Sequence, residues 1–225
     1  MNATFMETMT QEDQRNRRWQ VLLDDQPIEK VGRLIIHAES FGTLAYGKTP
    51  AGYDGWNFRE IGGGGVVILP FTEQESRLLV GVTSQYRYNQ GGEVWNAPRG
   101  FLDIGETHDN AAKRELNEET GYTAADLIDL GGQPANPNSA FFDTATAGEG
   151  SRFYALRISE SDLEVRDGVL RFAAGLVDLG EKAILNRLSE RIGDTFFIPW
   201  QEAARLSDMF TNAAVSRLLA YLDRS

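Results

Sequence analysis

Glu115, Glu118 and Glu119 stand within one helical turn of each other, in a segment that carries the start and stop signals of a helix. Thr107 is an N-cap residue type and Gly121 supplies a C-terminal stop, so the pattern predicts a helix between them. Residues three and four apart on a helix are neighbours, and like charges at that spacing destabilise it. A solvated acidic face is one interpretation. The other interpretation is that the carboxylates hold a divalent cation such as Mg²⁺.

The acidic cluster belongs to a longer pattern of fixed spacing. This runs Gly-x5-Glu-x7-Arg-Glu-U-x-Glu-Glu-x-Gly-U from Gly100 to Tyr122, where U is a bulky apolar residue. Inside it, Ala111 and Ala112 are expected to leave room near the acidic face, and Leu116 to point inward. The pattern resembles the Nudix box, and at this stretch the chain is similar to Nudix hydrolases.

The resemblance implies an α+β protein with the Nudix fold, a mixed β-sheet sandwiched between helices. Residues 1–60 would form a small β-rich segment that dimerises and contributes to substrate binding, and residues 61–225 the Nudix hydrolase domain. Residues 159–192 are expected to be an insertion in that domain.

Local patterns predict the individual elements of the chain. Apolar stretches between residues 19 and 59 indicate a few strands, and Phe71–Ser76 is the expected loop of a hairpin. The other predicted strands are Val66–Leu69, Arg77–Val82, Leu127–Leu130, Arg152–Ile158, Val165–Phe172 and Phe196–Ile198. The other predicted helices cover 182–191, 200–206 and 211–223.

Marks outside the box favour one branch of the family. Gln85-Tyr86-Arg87, the segment 93–100 and Pro137, 15 residues after Tyr122, resemble ADP-ribose and nucleotide-sugar pyrophosphatases. The implied activity is metal-dependent cleavage of a nucleoside diphosphate sugar, such as ADP-ribose, to nucleoside monophosphate and sugar phosphate. A hydrolase of dinucleoside polyphosphates or other nucleotides is the alternative, suggested by Pro98-Arg99-Gly100. A catalytically silent nucleotide sensor is a third hypothesis.

The same resemblance assigns the metal site. Glu115 and Glu119 would be the principal ligands of Mg²⁺ or Mn²⁺, with Glu118 in support and the backbone carbonyl of Arg99 completing the shell. By position, Glu106 and Arg114 would hold the loop and orient the carboxylates.

The general base and the substrate contacts follow from position in the related enzymes. A glutamate on the loop before the last strand is the base there, which indicates Glu190 here, with Glu149 as the second choice. Arg87 is a candidate for bidentate phosphate binding, although a surface ion pair is equally compatible with its sequence context. Arg99 could contact a phosphate or point to solvent. Trp19 could stack on a nucleobase, as could Trp56, or either could be a core anchor.

Composition excludes several other classes of protein. The chain has no cysteine and two histidines, which excludes disulfide scaffolds, cysteine nucleophiles and Cys-ligated metal sites, and with them isomerases of this fold that need a cysteine. A net charge of −11 argues against nucleic acid and anionic membranes as partners. The longest apolar run, Val66–Pro70, is too short for a membrane span, and the N-terminus lacks a secretory signal. We therefore expect a cytoplasmic homodimer that acts on a small-molecule nucleotide.

Overall fold

The chain divides into two units, one made of residues 1–64 and 134–150 and the other of residues 65–133 and 151–225. The computed structural model describes residues 64–87, 92–135 and 150–224, and the backbone of five strands between residues 22 and 60. Trp19, Pro137 and Glu149 lie outside the described residues, as does the side chain of Trp56.

The described part of the first unit contains β-strands. Two residue pairs, β1 (Leu22–Leu23) and β2 (Gln26–Pro27), form a short antiparallel ladder. Three longer strands, β3 (Leu34–Glu39), β4 (Gly42–Lys48) and β5 (Asp54–Glu60), form an antiparallel sheet in chain order. The prediction of strands in this region is therefore confirmed for these five.

The second unit is built on one nine-stranded mixed sheet. Its strands are β6 (Gly65–Gln74), β7 (Arg77–Arg87), β8 (Gly92–Asn96), β9 (Arg99–Phe101), β10 (Ile128–Asp129), β11 (Arg152–Arg157), β12 (Leu163–Arg166), β13 (Val169–Phe172) and β14 (Ile192–Pro199). Its helices are α1 (His108–Thr120), α2 (Glu181–Glu190), α3 (Trp200–Ala203) and α4 (Met209–Leu222).

The main path of the sheet runs β10-β11-β6-β7-β14-β13-β12, while β8 pairs with β7 and β9 pairs with β6. Only β11 and β6 are parallel; the other pairs are antiparallel. None of the helices that the structure describes has the length and apolar character that a bilayer span requires.

Helices cover both faces of this sheet, as the alternation of side chains along β6 and β11 requires. On one face, Val66, Ile68 and Tyr154 pack with Leu116 of α1 in one buried cluster. On the other face, the Phe153 ring lies 6.3 Å from that of Phe210 in α4. The arrangement is the Nudix fold of the α+β class, so the predicted fold is confirmed.

The β6–β7 hairpin is tighter than the sequence suggested. The expected loop 71–76 is wrong, because Phe71–Gln74 continues β6 and pairs with residues 77–80 of β7. Only Glu75 and Ser76 form the turn, with φ of 47° and 61°. Two positive φ values are what a two-residue type I′ hairpin needs to match the twist of its strands.

The expected strand over 165–172 is also wrong, because it is split into a hairpin of β12 and β13. Asp167 and Gly168, with φ of 53° and 77°, make the turn. An Asp-Gly pair is a strong hairpin signal, and the prediction of a single continuous strand overlooked it. The hairpin meets the main sheet through one register pair, Arg171 with Phe196.

Candidate active site

The box helix is capped as its sequence predicts. The Thr107 hydroxyl accepts a hydrogen bond from the Asn110 backbone N–H at 3.3 Å. Gly121 takes the left-handed conformation, with φ of 75°, and its N–H donates to the Asn117 carbonyl at 2.7 Å. Both ends of the helix are therefore fixed by local chemistry.

One face of α1 is apolar and buried, and it includes the two alanines of the box. Ala111, Ala112 and Leu116 are fully buried in the cluster against β6. Leu116 points inward as expected. That the small alanine side chains leave room near the carboxylates stays a prediction.

The carboxylates of Glu115 and Glu119 lie against the backbone of β9. Glu119 is 6% exposed, and its Oε2 accepts a hydrogen bond from the Arg99 N–H at 3.0 Å. The Glu115 carboxyl group occupies the space that a β-carbon at position 100 would fill. The glycine of the box is therefore a steric requirement of the acidic cluster.

Burial and mutual repulsion disfavour the ionised form of both carboxyl groups. Burial raises the pKa of Glu115 to about 7, against the charge of Arg114, and Glu118 and Glu190 raise it further. Burial and then the charge of Glu115 raise the pKa of Glu119 to about 8. A buried group of negative charges that cannot all be ionised alone is suited to a divalent cation.

Within the part of the chain that the structure describes, no group of three or more His, Asp or Glu side chains is arranged to hold a metal ion. The box carboxylates would therefore need further ligands to hold one. The donor set is hard oxygen only, which suits Mg²⁺ or Mn²⁺ with substrate oxygens and water making up the shell.

Arg114 ties the acidic residues to the preceding loop. Its guanidinium donates to both Glu106 oxygens, at 3.0 and 2.8 Å, and to the Phe101 carbonyl at 2.8 Å. It also donates to Glu115 at 2.6 Å and Glu118 at 3.3 Å. The predicted loop-holding role of Glu106 and Arg114 is confirmed by these contacts.

The negative charge of Glu190 contributes to the raised pKa values of Glu115 and Glu119, which indicates that Glu190 is a neighbour of the box glutamates. Its Oε2 accepts a hydrogen bond from the Gln85 amide at 3.1 Å. The expected loop position is wrong: Glu190 is the last residue of α2. The sheet brings it to the site, since β14, which follows α2 directly, pairs with β7.

Arg87 is partly buried and is influenced by the charge of Arg99. Burial lowers the pKa of Arg87, the charge of Arg99 lowers it further, and Glu119, Asp208 and Glu190 oppose the shift. The Arg99 guanidinium pairs with Asp208 and lies 5.1 Å from the centre of the Phe210 ring. It is therefore anchored and does not simply point to solvent.

Gln85 and Asp208 are two residues of this region that sequence reasoning missed. Asp208 caps α4 by accepting hydrogen bonds from the Thr211 N–H and hydroxyl at 2.8 and 2.6 Å. An Asp three residues before a Thr, at the start of an apolar helix, is a cap signal that could have identified it. Nothing local marks Gln85 as a partner of Glu190.

Comparison with known proteins agrees with this geometry. Residues 63–171 match the family model described as the NUDIX domain. An RNA pyrophosphohydrolase of Bartonella bacilliformis is 39% identical over 67 residues, which are 28% of this chain and 39% of that protein. An NAD-capped RNA hydrolase of Haemophilus influenzae is 42% identical over 53 residues, 23% of this chain and 20% of that protein.

Among solved structures, one described as an ADP compounds hydrolase aligns with a TM-score of 0.47 and 15% identity. The alignment covers 84% of this chain and 90% of that one. The chain spans well under half the length of the two curated relatives above. The match over residues 63–171, the capped box helix and the mixed sheet between helices together show that the chain carries a NUDIX domain.

Proposed function

We propose that the protein is a metal-dependent pyrophosphohydrolase that cleaves the diphosphate of a nucleoside diphosphate sugar, such as ADP-ribose, to nucleoside monophosphate and sugar phosphate. One observation carries the proposal. Glu115 and Glu119 are buried together against β9, and burial followed by the neighbouring carboxylates raises the pKa of both, although Arg114 contacts Glu115. A diphosphate and its metal ion supply the charges that such a cluster needs.

Glu115, Glu118 and Glu119 would hold the ion, together with the carbonyl oxygen of Arg99. A bound Mg²⁺ or Mn²⁺ supplies charge neutralisation for the phosphates and a water of lowered pKa. The Arg114 contacts keep Glu115 and Glu118 turned toward this place, so the side chains need little reordering when the ion arrives.

The two arginines would receive the phosphates. Arg87 is half-buried and has Arg99 as its cationic neighbour, a repulsion that an anionic ligand relieves. A guanidinium binds phosphate oxygens in a bidentate manner, which would orient the diphosphate toward the carboxylates. In this assignment Arg99 binds phosphate while its guanidinium stays paired with Asp208.

Glu190 would act as the general base. Its carboxylate is exposed to solvent at the end of α2 and is oriented by Gln85. Water would form a bond to one phosphorus as the anhydride P–O bond breaks, and the water proton would pass to Glu190. The departing phosphate oxygen leaves as part of the second phosphate monoester.

A capped RNA end is the second candidate substrate, because the two curated relatives are named as RNA pyrophosphohydrolase and NAD-capped RNA hydrolase. Both names imply a pyrophosphate bond attached to a nucleotide, so the reaction class is shared. The net charge of −11 favours a small nucleotide over a polyanionic RNA chain. Dinucleoside polyphosphates are a further alternative within the same class.

The test is a hydrolysis panel with product identification by mass. The substrates are ADP-ribose, ADP-, GDP- and UDP-sugars, diadenosine polyphosphates, and short RNAs with triphosphate or NAD ends. Wild type is compared with Glu119→Gln and with Glu160→Gln, an exposed control outside the site. We expect one nucleotide sugar to turn over with Mg²⁺ or Mn²⁺, no turnover with EDTA or Glu119→Gln, and wild-type turnover in the control.

Two outcomes would revise the proposal. Preferred cleavage of an RNA end would change the proposed substrate class and leave the proposed role of the acidic cluster unchanged. No turnover on the whole panel would favour the silent sensor, in which Glu115→Gln leaves nucleotide affinity largely unchanged. The homodimer and the cytoplasmic location stay predictions, and light scattering on the purified chain tests the first.

A further inference from the structure

A pocket lies beside the β12–β13 hairpin, among residues that the proposed reaction does not use. It has a volume of about 180 Å³. Its lining includes Thr120, Arg166, Arg171, Phe172, Val177 and Asp194. Two guanidiniums and one carboxylate at the mouth of a pocket make it a candidate binding site.

Three guanidiniums converge on the single carboxylate of Asp194. Arg171 and Arg187 approach it to 3.5 and 3.4 Å, and Arg166 approaches it to 4.0 Å. Charge-assisted N–H···O bonds are ordinarily about 2.7–2.9 Å long. The side chain of Asp194 is 60% exposed, so solvent screens these long contacts further. Asp194 alone therefore does not saturate the three cations.

Glu164 is the second carboxylate that pairs with these guanidiniums. Glu164 accepts a hydrogen bond from Arg166 at 2.8 Å and from the Ala174 N–H at 3.2 Å. Three guanidiniums thus meet two carboxylates in a chain whose net charge is −11. Arg187 is 8% exposed and is fixed by a 2.7 Å hydrogen bond to the Gly193 carbonyl. One of the three cations is accordingly built into the protein interior.

The wall of the pocket is apolar and held in place by ring packing. Phe172 stacks on Tyr122 with ring centres 4.7 Å apart, and Phe197 meets it edge-on at 5.3 Å. Val177 continues this apolar surface. A rigid wall with cations at its edge suits a compact anion better than an extended chain.

We propose that this pocket binds a phosphate group, which Arg166 and Arg171 of the hairpin hold in competition with Asp194. Guanidinium matches phosphate in a bidentate geometry and is more weakly hydrated than ammonium, so a phosphate dianion outcompetes a single exposed carboxylate. The ligand is either free orthophosphate or the phosphate of a small monoester. The proposal is independent of the proposed function, since none of these residues belongs to the acidic cluster.

A bound phosphate would also attach the hairpin more firmly to the rest of the sheet. The hairpin meets β14 through one register pair, while Arg187 belongs to α2 and Asp194 to β14. Because the anion would take the place of the Asp194 carboxylate, it would join the hairpin to Arg187 of α2, the helix that leads directly into β14. We expect phosphate to slow amide hydrogen exchange over 163–172.

The test is titration of the full-length, metal-free protein with orthophosphate, followed by calorimetry and by hydrogen exchange. Loss of one bidentate contact is expected to weaken binding about tenfold in Arg171→Gln and in Arg166→Gln. Arg157→Gln is the matched control, because Arg157 pairs with Glu73 at an exposed position and does not line the pocket. Asp194→Asn removes the competing carboxylate and is expected to tighten binding.

Three further measurements keep the proposal falsifiable. Thermal melts establish that each variant is folded. If Arg171→Gln is not folded, Arg171→Lys replaces it, because lysine keeps the charge but cannot bind phosphate in a bidentate manner. Ribose 5-phosphate is titrated in parallel: tighter binding than orthophosphate identifies a monoester as the source, and equal or weaker binding identifies free phosphate. Equal affinity in wild type and the Arg171 and Arg166 variants would overturn the proposal, as would loss of binding in Arg87→Gln.

Discussion

The carboxyl group of Glu115 lies where a β-carbon at position 100 would be, so α1 can pack closely against β9 only because residue 100 has no side chain. The two residues are on different elements, α1 and β9. Close approach of a carboxylate to backbone is possible here only because residue 100 is glycine. This contact positions the acidic cluster and leads to the first prediction.

Gly100→Ala is expected to inactivate the enzyme while leaving it folded. The added methyl group overlaps only the far end of the flexible Glu115 side chain, which can rotate away at small cost in stability. The rotation removes Glu115 from the acidic cluster, so we expect kcat to fall about 100-fold or more. Gly175→Ala is the control, because a β-carbon there meets nothing within 4 Å. Wild-type turnover in Gly100→Ala would contradict this role of Glu115.

The stability of the metal-free protein is expected to fall as pH rises from about 4.5 to about 8. The pKa of Glu115 is raised to about 7 and that of Glu119 to about 8, from ordinary values near 4.5. Between these limits the folded state binds more protons than the unfolded state, so the free energy of unfolding decreases with pH. The contribution is fully present below pH 4.5 and is lost as pH rises through 7 and 8.

A divalent cation must displace the same protons, so its effect should have the opposite pH dependence. We expect the increase in melting temperature caused by Mn²⁺ to grow between pH 6 and pH 8.5. Thermal melts with Mn²⁺ and with EDTA across this range measure both effects. Glu119→Gln should flatten both pH dependences. An Mn²⁺ effect that is the same at every pH would show that the ion binds elsewhere.

Gln85 is expected to position Glu190 for proton transfer. Gln85 is 4% exposed and donates from its amide to Glu190 at 3.1 Å. Gln85→Met keeps the shape and removes the donor, which should lower kcat about 10- to 100-fold and leave KM nearly unchanged.

A double-mutant cycle separates this effect from a structural one. Glu190→Gln alone should lower kcat by about 10² or more, the ordinary contribution of a general base. If Gln85 acts through Glu190, adding Gln85→Met to Glu190→Gln causes little further loss. Additive losses would show that Gln85 acts on the fold and not on the base.

The β6–β7 turn offers a gain in stability that should leave activity unchanged. Glu75 and Ser76 hold φ of 47° and 61°, a region that costs residues with a β-carbon about 1 kcal/mol or more. Replacing them with Asn-Gly should raise the free energy of unfolding by about 1 kcal/mol, measured by urea denaturation. Gly168→Ala, in the other hairpin turn, should lower it by a similar amount. Equal stability of all three proteins would mean that these turns carry no strain.

Much of the box follows from the sequence because its determinants are local. The Thr107 cap, the Gly121 stop and the inward position of Leu116 depend on neighbours within a few residues, and the structure agrees with each of them. The same is true of the hold of Arg114 on Glu106, eight residues away. The resemblance to the family, and through it the α+β fold, could be predicted because the whole box lies in one continuous stretch of sequence.

The tertiary structure alone decided which distant residues join the box. Gln85 and Glu190 are 105 positions apart, and Arg99 and Asp208 are 109 apart. The first pair depends on the pairing of β7 with β14, and the second on how the start of α4 packs against β9. No local pattern encodes either arrangement. The burial that raises the pKa values of Glu115 and Glu119 is likewise a property of the packed sheet and helix. The acidic helix and its caps follow from local side-chain spacing, whereas the surroundings of the helix follow from desolvation and strand pairing, which are not local.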